Sequence, residues 1–181
     1  MTNNVKSDPT IERIRTIIRD VPDFPKKGIM FKDITPLLAD HAAFGDAIKC
    51  MAEQYKGQGI TKVLGIEARG FILAAPIALA LGAGMIPVRK KGKLPYRTVS
   101  ATYALEYGED TLQVHEDALK KGEKVLIVDD VLATGGTASA VCSLAEKLGG
   151  KVASVAVLIE LGFLNGRAKL PGRNIFALLK Y

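Results

Sequence analysis

The chain has 181 residues, 48% hydrophobic and 24% charged, with 18 glycines and a formal net charge of +6. That length is roughly one domain, enough to bury a core without disulfide or metal staples, and the balance is that of a turn-rich globular α/β protein. The two cysteines, Cys50 and Cys142, lack metal-type spacing and read as buried free thiols, so nothing points to an oxidising compartment.

The N-terminus, MTNNVKSDPT, has no apolar h-region, and a secretory signal is not expected. Asp8 and Pro9 resemble an N-cap followed by proline at the first helical position, and Ile11, Ile14, Ile17 and Ile18 form a helical stripe. Val21 to Pro36 reads as a loop rich in proline and glycine. Phe44, Ile48, Met51 and Tyr55 mark a second helix, with Asp40 as its cap, and Val63 to Ile66 a short strand. Phe71 to Val88 carries no charge and is long enough to raise the question of a membrane helix. Pro76, Gly82, Gly84 and Pro87 interrupt it, so the reading is a buried helix, Ile72 to Leu81, then a strand, Met85 to Arg89. A soluble cytoplasmic protein with no membrane partner is expected.

Residues 98 to 114 read as two strands joined by a long loop that holds Tyr103, Glu106, Tyr107 and Gly108. Val125 to Val128 is a strand, Ala138 to Leu148 a helix stopped by Gly149 and Gly150, and Val152 to Ile159 and Ile175 to Leu179 further strands. Apolar strands alternating with helices imply a mostly parallel central sheet flanked by helices. Ligands of such sheets bind beyond the carboxyl ends of the strands, here Glu67 to Gly70 and Asp129 with Asp130.

The segment VLIVDDVLATGGT, Val125 to Thr137, concentrates the chemistry. Gly135 and Gly136 let the backbone approach an anion, Thr134 and Thr137 offer hydroxyls, and the following helix start supplies unpaired N–H groups. No lysine follows Gly136, so this is not a P-loop, and the G-x-G-x-x-G of a dinucleotide fold is absent. If the chain turns at the end of the strand, Asp129 and Asp130 can both reach one ligand edge, such as the vicinal hydroxyls of a ribose. Arg89, Lys90, Lys91, Lys93 and Arg97 cluster as either a solvated basic loop or a phosphate-collecting one. Without a longer run of like charge or interleaved aromatics, nucleic acid is not the expected partner.

The string VLIVDDVLATGGT resembles the phosphoribosyl-diphosphate (PRPP) motif of the type I phosphoribosyltransferases. Further segments resemble the adenine-using branch of that family: Phe24 to Pro36, Glu67 to Phe71, Arg89 to Pro95, Tyr103 to Gly108, Leu158 to Leu161 and Asn165 to Arg167. The resemblance implies the family fold over a single domain, 1–181, with a short N-terminal base-binding hood at about 1–36 and a flexible lid hairpin at about 96–111. It implies transfer of phosphoribose from PRPP to adenine, giving AMP and pyrophosphate in purine salvage, by a homodimer.

On this resemblance Asp129 and Asp130 hold the ribose hydroxyls, while Ala133, Thr134, Gly135, Gly136 and Thr137 cradle the 5-phosphate. Arg69, Arg89, Lys93 and Tyr107 serve the pyrophosphate, with a peptide near Arg69 that can be cis without proline. Met30 and Lys32 read adenine largely through backbone groups, Phe31 and Leu161 pack on the ring, and Glu106 handles the purine proton. No dedicated protein metal site is implied, because Mg²⁺ arrives with PRPP. His41 and His115 match no catalytic position and read as surface or helix-terminal residues. Two rivals remain: a transferase for another base, and a PRPP-sensing regulator that binds nucleic acid. The Phe24 to Pro36 segment argues against the first. The intact Tyr103 to Gly108 segment, with no helix-turn-helix pattern before the domain, argues against the second.

Overall fold

A computed structural model describes residues 8–104 and 109–181. The chain divides into two compact units, Met1–Cys50 and Met51–Tyr181.

In the first unit the Asp8 carboxylate accepts the Thr10 N–H at 2.8 Å and opens α1 (Pro9–Ile17), which buries Ile14. The segment expected as a loop instead holds an antiparallel ribbon of β1 (Arg19–Pro22) and β2 (Met30–Asp33), in the register Arg19↔Asp33 to Pro22↔Met30. Such short, largely exposed strands carry no alternating apolar signal, so the proline and glycine of the intervening turn dominate the sequence. The turn is closed by the Gly28 N–H on Asp23 Oδ1 at 2.6 Å, and its Phe24–Pro25 peptide is cis. α2 (Thr35–Ala39) follows, with the Thr35 N–H donated to Asp33 Oδ1 at 2.9 Å. Asp40 then caps α3 (His41–Glu53) by accepting the Ala43 N–H at 2.8 Å. α3 ends before Tyr55, whose hydroxyl bonds Ser154 Oγ at 2.9 Å within the second unit.

The second unit contains α4 (Arg69–Leu81), α5 (Gly136–Lys147) and the strands β3 (Lys62–Ile66), β4 (Gly84–Lys90), β5 (Thr98–Ala104), β6 (Glu109–His115), β7 (Lys124–Leu132), β8 (Lys151–Glu160) and β9 (Ile175–Lys180). Among the described residues these strands form one sheet, in the order β5-β6-β4-β3-β7-β8-β9. The five strands β4, β3, β7, β8 and β9 are parallel, and β5 and β6 form an antiparallel hairpin beside β4. Tyr103 therefore lies in a strand, opposite Asp110, rather than in the expected loop. His115 ends β6 and is half-buried, with Nε2 shielded and lacking a hydrogen bond, so it is not a helix-terminal residue. The uncharged segment 71–88 resolves into α4, stopped by left-handed Gly82 (φ 64°), and β4. Among the described residues no helix is long and apolar enough to cross a membrane.

β7 is the centre of the unit. Val125, Leu126, Ile127 and Val128 are all fully buried, which explains their uninterrupted apolar run: both faces of the strand are covered. Val125 and Ile127 share a core with Val141, Leu144 and Ala145 of α5. On the other face α4 packs so closely that a Cβ at Gly65 would lie 2.7 Å from Ala74 Cβ. Truncating Ile127 to alanine should cost about 2–5 kcal/mol, from lost burial and a residual cavity. Urea unfolding should show the drop as a lower midpoint with an unchanged slope.

Candidate active site

The parallel strands bring three segments to one edge: the turn after β3, the end of β4, and β7 with its following loop. The first carries Glu67, Ala68 and Arg69, and the Glu67–Ala68 peptide is cis. Glu67 Oε2 accepts the Lys90 N–H at 2.9 Å and Arg89 Nε at 3.2 Å, while Arg89 Nη1 donates to the Lys93 carbonyl at 3.0 Å. Burial alone would raise the pKa of Glu67. The hydrogen bonds from Lys90 and Arg89, with the charges of Arg89 and Lys93, outweigh it and hold the carboxyl below its ordinary value. Glu67 thus fixes Arg89 and the turn to Lys93. The sequence reading did not pick out this role, although Glu67 heads the segment in which Arg69 was identified.

β7 does not turn after Val128 as expected. Val131 and Leu132 still pair with Ile159 and Glu160 of β8, so Asp129 and Asp130 lie within the strand and project to opposite faces. Asp130 is buried and ion-paired to Arg69 Nε. Asp129 lines a cavity of about 60 Å³ with Val131 to Gly135, Thr137, Ala138 and Val157. Its Oδ1 accepts the Asp130 N–H at 2.9 Å. Burial first, and then the charge of Asp130, push the Asp129 carboxyl well above its usual range, with Arg69 acting in the opposite sense. The start of α4 fits here only because residue 70 is glycine: a Cβ there would sit 2.9 Å from Asp129 Oδ1 and 3.0 Å from the Val128 carbonyl.

The loop 133–137 joins β7 to α5. Gly135 occupies the helix N-cap at φ 82°, left-handed backbone that glycine adopts without strain, and no side chain caps the helix. Its first N–H groups therefore face the loop cavity with the positive end of the helix dipole, an arrangement that accepts an anion. Thr134 is exposed, and Thr137 lies in the first turn.

Leu161 follows β8, its N–H bonded to the Leu132 carbonyl at 2.9 Å. In the first unit Met30, Phe31 and Lys32 lie on β2. Residues two apart on a strand direct their backbone groups to the same edge, so Met30 and Lys32 act as a pair. Phe31 meets Phe24 edge-on at 5.0 Å between ring centres, and Lys32 Nζ is 2.6 Å from Asp20 Oδ1. Glu106 and Tyr107 lie outside the described residues. Among those described, no group of three or more His, Cys, Asp or Glu side chains is placed to hold a metal ion.

Comparison with known proteins locates this arrangement. Residues 37–171 match the family model of the phosphoribosyl transferase domain. The adenine phosphoribosyltransferase of Geotalea daltonii is 56% identical over 171 residues, covering 94% of this chain and all of that protein. The crystal structure of adenine phosphoribosyltransferase from Thermoanaerobacter pseudethanolicus superposes with a TM-score of 0.92 at 52% identity, over 94% of this chain and 99% of that one. The Saccharomyces cerevisiae enzyme, solved with adenine and an imino-altritol bisphosphate, matches at 37% identity with a TM-score of 0.89, over 94% and 98% of the two chains.

Asp129 binds its proton more tightly in the folded than in the unfolded chain. Its contribution to stability is therefore most favourable below the unfolded value, about 3.9, and declines as pH rises through the folded one. Asp129→Asn should raise the melting temperature at neutral pH, with the gain shrinking as pH falls toward about 4. Scanning calorimetry across that range checks it.

Proposed function

Because the chain belongs to the adenine phosphoribosyltransferase family, we infer that its site makes a nucleotide: it transfers the 5-phosphoribosyl group from PRPP to adenine, giving AMP and pyrophosphate. The observation that carries this reading is the uncapped, glycine-started helix α5 beside an acid pair, with Arg69 and Arg89 at neighbouring strand ends. A ribose 5-phosphate with a pyrophosphate leaving group needs those three elements.

In the reaction the bond from ribose C1 to a pyrophosphate oxygen breaks, a bond to an adenine ring nitrogen forms, and that nitrogen loses its proton. The loop 133–137 anchors the 5-phosphate through backbone N–H groups and the hydroxyls of Thr134 and Thr137. Asp129, which lines the cavity of that loop, engages the ribose hydroxyls, while Asp130, on the opposite face, holds Arg69. Arg69, Arg89 and Lys93, with Tyr107, stabilise the charge that grows on the departing pyrophosphate, where preorganised donors lower the barrier most. Met30 and Lys32 read the adenine edge through their backbone, and Phe31 and Leu161 hold its faces. Glu106 takes the purine proton. Mg²⁺ carried in with PRPP would neutralise leaving-group charge and would need no ligand set from the chain.

The assembly is a cytoplasmic homodimer that needs neither nucleic acid nor membrane. Ile72 and Leu79, partly and largely exposed on one face of α4, supply apolar surface that a subunit interface would cover.

A coupled pyrophosphate-release assay with PRPP, Mg²⁺ and each purine tests the reaction. Adenine should be the fastest acceptor, and faster turnover of hypoxanthine or guanine would reassign the base. Glu106→Ala should slow the chemical step by about 10²- to 10⁴-fold while leaving PRPP affinity largely intact. Single-turnover kinetics separate the two effects.

A further inference from the structure

The 3-10 turn Gly166–Lys169 contributes no group to the reaction as described, yet the phosphate loop rests directly on it. A Cβ built at Gly135 would lie 2.2 Å from the Gly166 carbonyl oxygen. One built at Gly166 would lie 2.2 Å from the Ala133 carbonyl oxygen and 3.2 Å from the Gly135 nitrogen. Two main chains therefore meet with no side chain between them, and a shift of the turn must be passed to residues 133–135.

The turn is itself tied down from the other side. Arg167 holds Glu160 as a fork, Nε to Oε1 at 2.6 Å and Nη2 to Oε2 at 2.8 Å, and Nη1 donates to the Ile175 carbonyl at 3.3 Å. Glu160 is only 7% exposed and closes β8 opposite Leu132, the last residue of β7. The hydrogen bonds from Arg167 hold its carboxyl below the ordinary range. Leu170, just beyond the turn, is buried in the core and bonded to the Arg167 carbonyl at 2.9 Å. The path from sheet to phosphate loop is thus Glu160, Arg167, Gly166, Gly135.

We propose that Arg167 is a positioning residue for the ribose-phosphate site: by clamping Glu160 it fixes the Gly166 backbone that sets the shape of the loop 133–137. The proposal rests on the phosphoribosyl transfer inferred above. An anion cradle made of backbone N–H groups works only while those groups converge, so its support must be rigid. Arginine suits the task because its planar fork fixes direction as well as distance, which a lysine ammonium does not.

The test compares Arg167→Lys, Gly166→Ala and a control, Arg173→Lys. The control loosens the comparable fork from Arg173 to Glu146, at 2.5 and 2.9 Å, which touches no part of the loop. Arg167→Lys keeps a positive charge beside Glu160, so it should fold even if Gly166→Ala does not. For Arg167→Lys, and for Gly166→Ala where it folds, the KM for PRPP and the Kd for ribose 5-phosphate should rise roughly 10- to 100-fold, with the KM for adenine at saturating PRPP and the melting temperature changed far less. Arg173→Lys should leave the ribose 5-phosphate affinity at the wild-type value. The proposal is overturned if Arg167→Lys binds ribose 5-phosphate like the wild type, whatever its melting temperature, or if the control weakens that binding equally. A wild-type protein that makes no AMP would overturn the functional reading itself. Wild-type turnover with unaltered variants would overturn the positioning role alone.

Discussion

Two carboxylates on consecutive residues of a strand must leave by opposite faces of the sheet, and in β7 both faces are covered by helices. Asp130 meets this constraint by pairing with Arg69, delivered from the neighbouring strand end by α4. Asp129 accepts the Asp130 backbone N–H beside a small, mostly apolar cavity, and burial together with the Asp130 charge raises the pKa of its carboxyl. Much of the surrounding arrangement follows. α4 must start close enough to β7 to present its arginine, and only a glycine at position 70 permits that approach. A second arginine, Arg89, is held apart from this pair by its own acid, Glu67, which keeps the turn to Lys93 in place. Arg69 and Arg89 thus each lie against a carboxylate rather than forming a bare positive patch.

The phosphate loop follows a different economy. Its donors are main-chain groups, which cannot be retuned by rotamer changes, so their placement depends on what the backbone leans upon. Glycines at 135 and 166 remove the side chains that would separate loop from support. Tight contact of this kind transmits displacement efficiently because protein interiors are close-packed. A residue with no contact to the ligand can therefore influence its affinity.

The legible parts of the sequence were the local ones. Val125 to Val128 announced a doubly covered strand, the Gly-Gly turn announced a helix start with unpaired N–H groups, and Asp8, Asp40 and Gly82 marked helix ends where the structure has them. The paired β1 and β2 were hidden because exposed four-residue strands bury too little to leave a pattern. The facing of Asp129 and Asp130 was misjudged because the continuation of β7 to Leu132 depends on pairing with β8, a partner distant in sequence. The structural roles of Glu67 and Gly166 were hidden for the same reason. Their importance lies in contacts to Arg89 and to Ala133 and Gly135, which no short window of sequence contains.

The central position of β7 also bears on how the chain assembles. β7 meets β8 after a single crossover helix, but meets β3 only across a chain that has already formed β4, β5 and β6. Closing the shorter loop costs less entropy, so the β7–α5–β8 unit is expected to form ahead of the β3 pairing. In that intermediate arrangement the loop 133–137 already exists, while Arg69 has yet to arrive opposite Asp130. The pairing of Asp130 with Arg69, and the close approach of Gly70 to Asp129, then fall to the docking of β3 and α4, so the surroundings of the acid pair are completed late in folding.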